Sequence, residues 1–224
     1  MDKKVFIECG ANDGVGASET INFDKNIWRG ILIEARPGGY EQCLIKRPEC
    51  ISVNACLVSD DFEGDTIEFR DMGLLGVPAE SRLVHERYEE EVRTKNYKSL
   101  SKTFQDNFLK GEDGGYEILK VPARTLTSIL EELGELKIDF FSLDVEGYEL
   151  NVLNGLDVDK IDITQISVEC HEDRKQGGFQ SEHQPEENDA CSFAEIKAWM
   201  DSNNYTFVSK TRGGWPPKYL FQKG

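Results

Sequence analysis

Four short stretches of this sequence place acids, glycines or a histidine directly after apolar runs. The first is Val5-Phe6-Ile7-Glu8-Cys9-Gly10-Ala11-Asn12-Asp13-Gly14. A strand running into Gly-x-x-x-Gly lets backbone approach a ligand closely at the carboxyl edge of a parallel sheet, where open α/β folds bind cofactors. There is neither a GxGxxG nor a Walker lysine, and Glu8 and Asp13 would repel a pyrophosphate. They suit a positively charged ligand such as an ammonium or a sulfonium; the alternative is a tight turn with solvated acids. The second stretch, Gly30-Ile31-Leu32-Ile33-Glu34, ends in an acid about 20 residues after that turn, the position from which a carboxylate accepts the hydroxyls of an adenosine ribose. A plain surface glutamate is the competing reading. Together the two features favour a nucleoside-containing ligand.

The third stretch, Asp139 to Glu149, is an apolar strand with Asp144 and Glu146 at its end. Such a strand edge suits a general base or metal ligands. Equally, Glu146 and Glu149 could serve the positive end of the next helix. The fourth, Ile166-Ser167-Val168-Glu169-Cys170-His171, puts Glu169 and His171 at the next strand end. Of three histidines (85, 171 and 183) only His171 falls there, and an imidazole so placed could take a proton near neutral pH.

The elements that must position these groups are strands alternating with helices, which implies parallel pairing and crossover connections. Strands are expected at Val5–Ile7, Gly30–Glu34, Ile51–Val58, Thr66–Arg70, Tyr116–Val121, Ile138–Val145, Ile163–Glu169, Tyr205–Ser209 and Tyr219–Phe221. A polar helix-like stretch follows the glycine turn as far as about Asn26. Further helices are expected at Tyr40–Lys46, at Leu126–Leu133 between a Thr125 cap and Gly134, at Tyr148–Leu153 and at Phe193–Met200. Residues of about 72 to 115 break the rhythm. They read as a charged, helical insertion, either a lid over one end of the core or a solvated surface helix. Trp215-Pro216-Pro217 reads as a rigid turn.

Composition narrows the function. The chain has 224 residues, 38% apolar and 30% charged, enough for one α/β domain. Forty-two acidic against 26 basic residues leave a formal charge of −16, which disfavours nucleic acid and anionic membrane surfaces. No run has the length of a membrane span and the N-terminus does not read as a signal peptide. The six cysteines lack CxxC spacing and read as reduced thiols in a cytoplasmic protein.

In order and spacing, FIECGANDGVGASET, WRGILIEARPGGYE, VNACLVSD, VPARTLTSIL, IDFFSLDVEGYELNVLNGLD and ISVECHE resemble the FkbM family of S-adenosylmethionine-dependent methyltransferases, and LDVEGYELNVLNG is the most specific of them. The resemblance covers roughly residues 5 to 172 apart from the insertion. It implies a class I methyltransferase (Rossmann-like) fold: a seven-stranded, mostly parallel sheet with helices on both faces and an antiparallel C-terminal hairpin. It implies that S-adenosylmethionine is held by Glu8, Gly10, Asn12, Asp13 and Gly14, by Ser18 and Thr20 at its carboxylate, by Glu34 and Ala35 at the ribose, by Asn54 and Ala55 at the adenine, and by Asp144 near the sulfonium.

The activity implied is O-methylation of a sugar, glycan or other small-molecule hydroxyl by in-line displacement. Asp144 is the first candidate base, with His171, Glu146 and Glu169 after it. A divalent cation held by Asp144 and Glu169 is the less favoured arrangement. Arg82, Arg87, Tyr88, Trp215 and Tyr219 are candidate acceptor contacts, though each taken singly reads better as a surface ion pair or core aromatic. A fused or partner glycosyltransferase is also implied, which would make the chain one module of a longer polypeptide. Readings from other classes are a protein lysine methyltransferase, since an acidic surface suits basic targets, and a non-catalytic nucleoside-binding module.

Overall fold

A computed structural model describes residues 3–71, 76–81, 117–170, 192–211 and 217–224. In chain order the elements are β1 (Lys4–Cys9), β2 (Trp28–Glu34), α1 (Pro37–Lys46), β3 (Ile51–Asn54), β4 (Cys56–Leu57), β5 (Thr66–Asp71), β6 (Val77–Pro78) and β7 (Glu117–Arg124). They continue with α2 (Leu126–Leu133), β8 (Lys137–Ile138), β9 (Phe140–Leu143), α3 (Glu149–Asn154), β10 (Asp162–Ile163), β11 (Gln165–Glu169), α4 (Phe193–Ser202), β12 (Tyr205–Lys210) and β13 (Lys218–Lys223).

The main sheet has seven strands in the order β12-β13-β11-β9-β1-β2-β3. Pairing is parallel from β3 to β11 and antiparallel at β11–β13 and β13–β12. The strand order reverses at β1. The chain runs outward to β2 and β3 and returns on the other side as β9, which opens a crevice at the carboxyl ends of β1 and β9.

Side-chain alternation along the central strands divides the core into two layers. Val5, Ile7, Cys9, Ile31 and Ile33 pack with Leu126, Ile129 and Leu130 of α2, Val152 and Leu153 of α3, and Ile196 and Met200 of α4. Phe6 and Leu32 point the other way, to Ala11 and Cys43 of α1, with Phe23 and Trp28 against them. Burying these strands on both faces accounts for their nearly unbroken apolar runs.

The helix ends follow local rules. The Thr125 hydroxyl accepts the Ser128 N–H at 3.1 Å and Gly134, at φ +71°, closes α2, as the sequence predicts. Pro37 starts α1 earlier than expected, because proline's fixed φ suits the first turn. Ser192 and Glu195 form a reciprocal capping box on α4.

Several expectations need correction. The expected strands 138–145 and 163–169 each break in two, and β8 and β10 pair with each other in a separate two-stranded sheet. The stretch from Ala11 to Ile27 is not helical but a series of turns. Asp13 Oδ1 accepts the Val15 and Gly16 N–H groups, Asp24 Oδ1 accepts that of Asn26, and Asn12, Gly14 and Ala17 adopt positive φ. These local bonds compete with the helix. The expected strand 51–58 is also two strands. It breaks at Ala55, whose N–H turns to the Glu34 carbonyl, and β4 joins a second, four-stranded sheet of order β4-β7-β5-β6. The expected insertion at about 72–115 and the Trp215-Pro216-Pro217 turn lie largely outside the described residues. Among the described residues the five cysteines are free thiols, four of them buried. Among the described residues no helix is long and apolar enough to cross a membrane.

Candidate active site

The crevice at the β1/β9 switch point is a cavity of about 280 Å³. Its floor is the strand ends themselves. Gly10 has φ +74°, and a Cβ there would lie 1.7 Å from the Asp144 carbonyl oxygen. Only glycine allows β1 and β9 to meet this closely.

Glu34 closes one end. It is 7% exposed and lines the cavity. Its Oε2 accepts the Asn12 N–H at 2.7 Å and its Oε1 the Arg36 N–H at 2.9 Å. Burial pushes the carboxyl up to about 7, against the pull of both N–H groups. Asn12 sits at φ +49° and its side-chain oxygen accepts from Arg36 at 2.8 Å. Ala35, Ala55, Leu57, Phe69 and Pro78 make an adjoining apolar wall, so the second sheet supplies part of the site.

Glu8 is buried beneath the turn and lines the cavity. It accepts from Ser18 Oγ (2.8 Å), Thr20 Oγ1 (2.5 Å) and the Glu19 N–H (3.0 Å). The Ser18 and Thr20 hydroxyls thus face Glu8, and neither residue lines the cavity. Asp13 and Gly14 lie outside it too. Asp13 pairs with Lys46 at 2.6 Å, a bond that holds its carboxyl down at about 2. The Gly14 carbonyl accepts from the buried Arg47 at 3.0 Å. Asn54 donates to the Glu34 and Ala35 carbonyls at 2.8 and 2.9 Å; it fixes the β2 end rather than lining the cavity.

At the opposite end, single carboxylate oxygens of Asp144, Glu146 and Glu169 lie within 4.8 Å of one another, a grouping that attracts a cation. Glu146 is left-handed at φ +55°, followed by Gly147 at +94°. The buried Glu149 holds this turn by accepting the Val145 and Gly147 N–H groups, each at 3.1 Å. So of the two acids expected at this helix start, Glu149 stabilises the backbone and Glu146 faces the cavity. Burial, then the neighbouring Asp144 carboxylate, pushes the Glu169 carboxyl well above the usual carboxylate range.

Two residues here were not singled out from sequence. Lys218 starts β13 opposite Glu169, with its ammonium 3.1 Å from Asp144 and 3.4 Å from Glu19. Burial pushes Lys218 down, but Asp144 and Glu19 outweigh it and hold the lysine above its ordinary value. Glu19 accepts from Ser142 Oγ (2.5 Å) and Ser167 Oγ (3.0 Å), which pins the turn region to β9 and β11. Tyr148 also lines the cavity and donates to Glu80. Tyr219 is 2% exposed and packs against Phe193 in the core, ring centroids 4.5 Å apart and tilted by 34°, not at the cavity. His171, Arg82, Arg87, Tyr88 and Trp215 lie outside the described residues.

The Methyltransferase FkbM domain matches residues 8–207. The chain belongs to the FkbM methyltransferase family. Membership makes it an enzyme of methyl transfer from S-adenosylmethionine. Among solved structures, a SAM-dependent methyltransferase from Aquifex aeolicus aligns over 98% of this chain and 82% of its own, at 6% identity and a TM-score of 0.43. No curated protein sequence matches. The FkbM cavity has the donor set this cofactor needs: a buried carboxylate for ribose hydroxyls, an apolar wall for a purine, a glycine cradle and several acids for a sulfonium charge.

Proposed function

We propose that this FkbM protein methylates a hydroxyl of a sugar, glycan or similar uncharged small molecule, with Asp144 as the base. The observation that carries this reading is the clustering of Asp144, Glu146 and Glu169, with single carboxylate oxygens within 4.8 Å of one another, at the strand edge beside Gly10. Asp144 accepts the hydroxyl proton as the new oxygen–carbon bond forms and the carbon–sulfur bond breaks. S-adenosylmethionine supplies the electrophilic methyl carbon. The protein's main contribution is alignment of two bound molecules, which accounts for about 7–11 kcal/mol of barrier in well-oriented systems. The base adds about 10²–10⁴-fold.

Glu34 is assigned to the ribose and the Ala55–Leu57–Phe69 wall to the adenine. Gly10, Asn12 and Glu8 are assigned to the methionine part, with Glu8 acting through the turn it organises. Five acids around the cavity, on a chain of charge −16, oppose anionic acceptors and leave neutral sugars unpenalised.

The test has two stages. Calorimetry with S-adenosylhomocysteine, with NAD as the control, examines the cofactor. Labelled-methyl transfer to a panel of glycosides and to lysine peptides then examines the acceptor. Micromolar thioether binding with transfer to a glycoside is expected. Transfer to lysine alone, or no thioether binding by folded protein, overturns the proposal.

A further inference from the structure

The acids at the cavity's acceptor end share one partner of opposite sign. Among the described lining residues Lys218 is the only cation. It comes from the antiparallel strand β13, so its first residue reaches the edge where the parallel strands end. Its side chain is 16% exposed. On one side it meets Asp144 at 3.1 Å. On the other, at 3.4 Å, it meets Glu19, which Ser142 and Ser167 fix to the sheet. Glu146 from the turn, Glu149 from α3 and Glu169 from β11 complete the acidic side chains around this cluster. The ammonium is therefore held from two directions.

We propose that Lys218 is a cation built into the site: its ammonium does for Asp144, Glu146 and Glu169 what a bound divalent ion would otherwise do, and it orients the Asp144 carboxylate. Lys218 is thus a positioning residue. Its part in methyl transfer rests on the reading above; its part in excluding a second cation does not. A fixed charge here balances the acids without a metal, and repels one.

Manganese binding tests this directly and needs neither cofactor nor acceptor. Manganese chloride is titrated into the full chain, the Lys218→Met, Lys218→Arg and Asp144→Asn variants, and the Asp144→Asn/Lys218→Met double variant, with thermal melting as the control for folding. The unaltered chain and Lys218→Arg should bind manganese more weakly than about 1 mM. Removing a like charge a few ångströms from the ion should tighten binding about ten-fold or more in Lys218→Met, and the double variant should lose that gain. If Lys218→Met does not fold, Lys218→Gln takes its place. Micromolar binding by the unaltered chain that Asp144→Asn abolishes overturns the proposal, as does a folded Lys218→Met that binds no more tightly. S-adenosylhomocysteine titrations on the same samples report on the cofactor reading separately, so failure there leaves the manganese result readable.

Discussion

Glu34→Gln separates a ribose-binding carboxylate from a merely buried one. In the native protein each Glu34 oxygen accepts one backbone N–H, from Asn12 at 2.7 Å and Arg36 at 2.9 Å. Each keeps a lone pair for a ribose hydroxyl. A glutamine offers one oxygen and one NH₂, and the NH₂ must confront a backbone donor. One ribose bond to a charged acceptor is lost, worth about 1.5–3 kcal/mol, so affinity for S-adenosylhomocysteine should fall about ten- to hundred-fold.

The same charge sets the pH dependence. Burial raises the carboxyl from 4.5 to about 7, and only the ionised form accepts from both ribose hydroxyls while keeping both N–H bonds. Wild-type affinity should therefore rise about ten-fold between pH 6 and pH 8. Stability runs the other way. The folded state holds this proton more tightly than the unfolded chain, so stability from this group is full below 4.5 and lost as pH climbs through 7, by about 3 kcal/mol. Glu34→Gln should flatten both slopes. Calorimetry of both proteins at pH 6, 7 and 8 and urea unfolding of both from pH 4.5 to pH 8 check this. Equal affinity of the two at pH 8, or a flat wild-type profile, would refute the assignment.

Three further outcomes follow from the site's geometry. Asp144→Asn should lower labelled-methyl transfer by about 10²-fold or more while S-adenosylhomocysteine affinity stays within a few-fold; near-normal turnover moves the base elsewhere. Gly10→Ala would drive a methyl into the Asp144 carbonyl and strain a backbone at φ +74°, and should cost more than about 3 kcal/mol of stability, read from urea midpoints. Glu8→Ala removes the shared acceptor of Ser18, Thr20 and the Glu19 N–H; about 2–4 kcal/mol should be lost, and limited proteolysis should cut first within residues 11–27.

What the sequence made legible is what local chemistry decides. An apolar run ending at Gly10, a second ending at Glu34 and a third ending at Asp144 meet at one edge because parallel strands must end together. The Thr125 and Gly134 signals bound α2 for reasons contained within ten residues. What stayed hidden depends on register or on distant partners. Lys218 is an ordinary strand-start lysine until β13 is known to run against β11 with Lys218 opposite Glu169. Ser18 and Thr20 look like donors for a ligand until Glu8 is seen to face them from β1. The apolar wall at Leu57, Phe69 and Pro78 needs a second sheet, and although the 51–58 run passes from alternation to unbroken apolar residues after Asn54, that change does not say that β4 leaves the main sheet.

The acids of this cavity are alike by type and are separated by their donors. Glu149 takes two backbone N–H groups of one turn, and Glu8 takes two hydroxyls and one N–H of another. Both satisfy chain that would otherwise have buried donors without acceptors, so removing either should be felt first in folding. Glu34 also takes two N–H groups, but it lies on the cavity surface at a carboxyl group divided between its two forms near pH 7. Asp144 faces the Lys218 ammonium and the Glu169 carboxyl instead of backbone. An acid so partnered does nothing for the backbone that a neutral residue could not do. On the proposed function its part is reactivity, and for that reason Asp144→Asn should separate turnover from both binding and stability more cleanly than substitution of any other acid in the cluster.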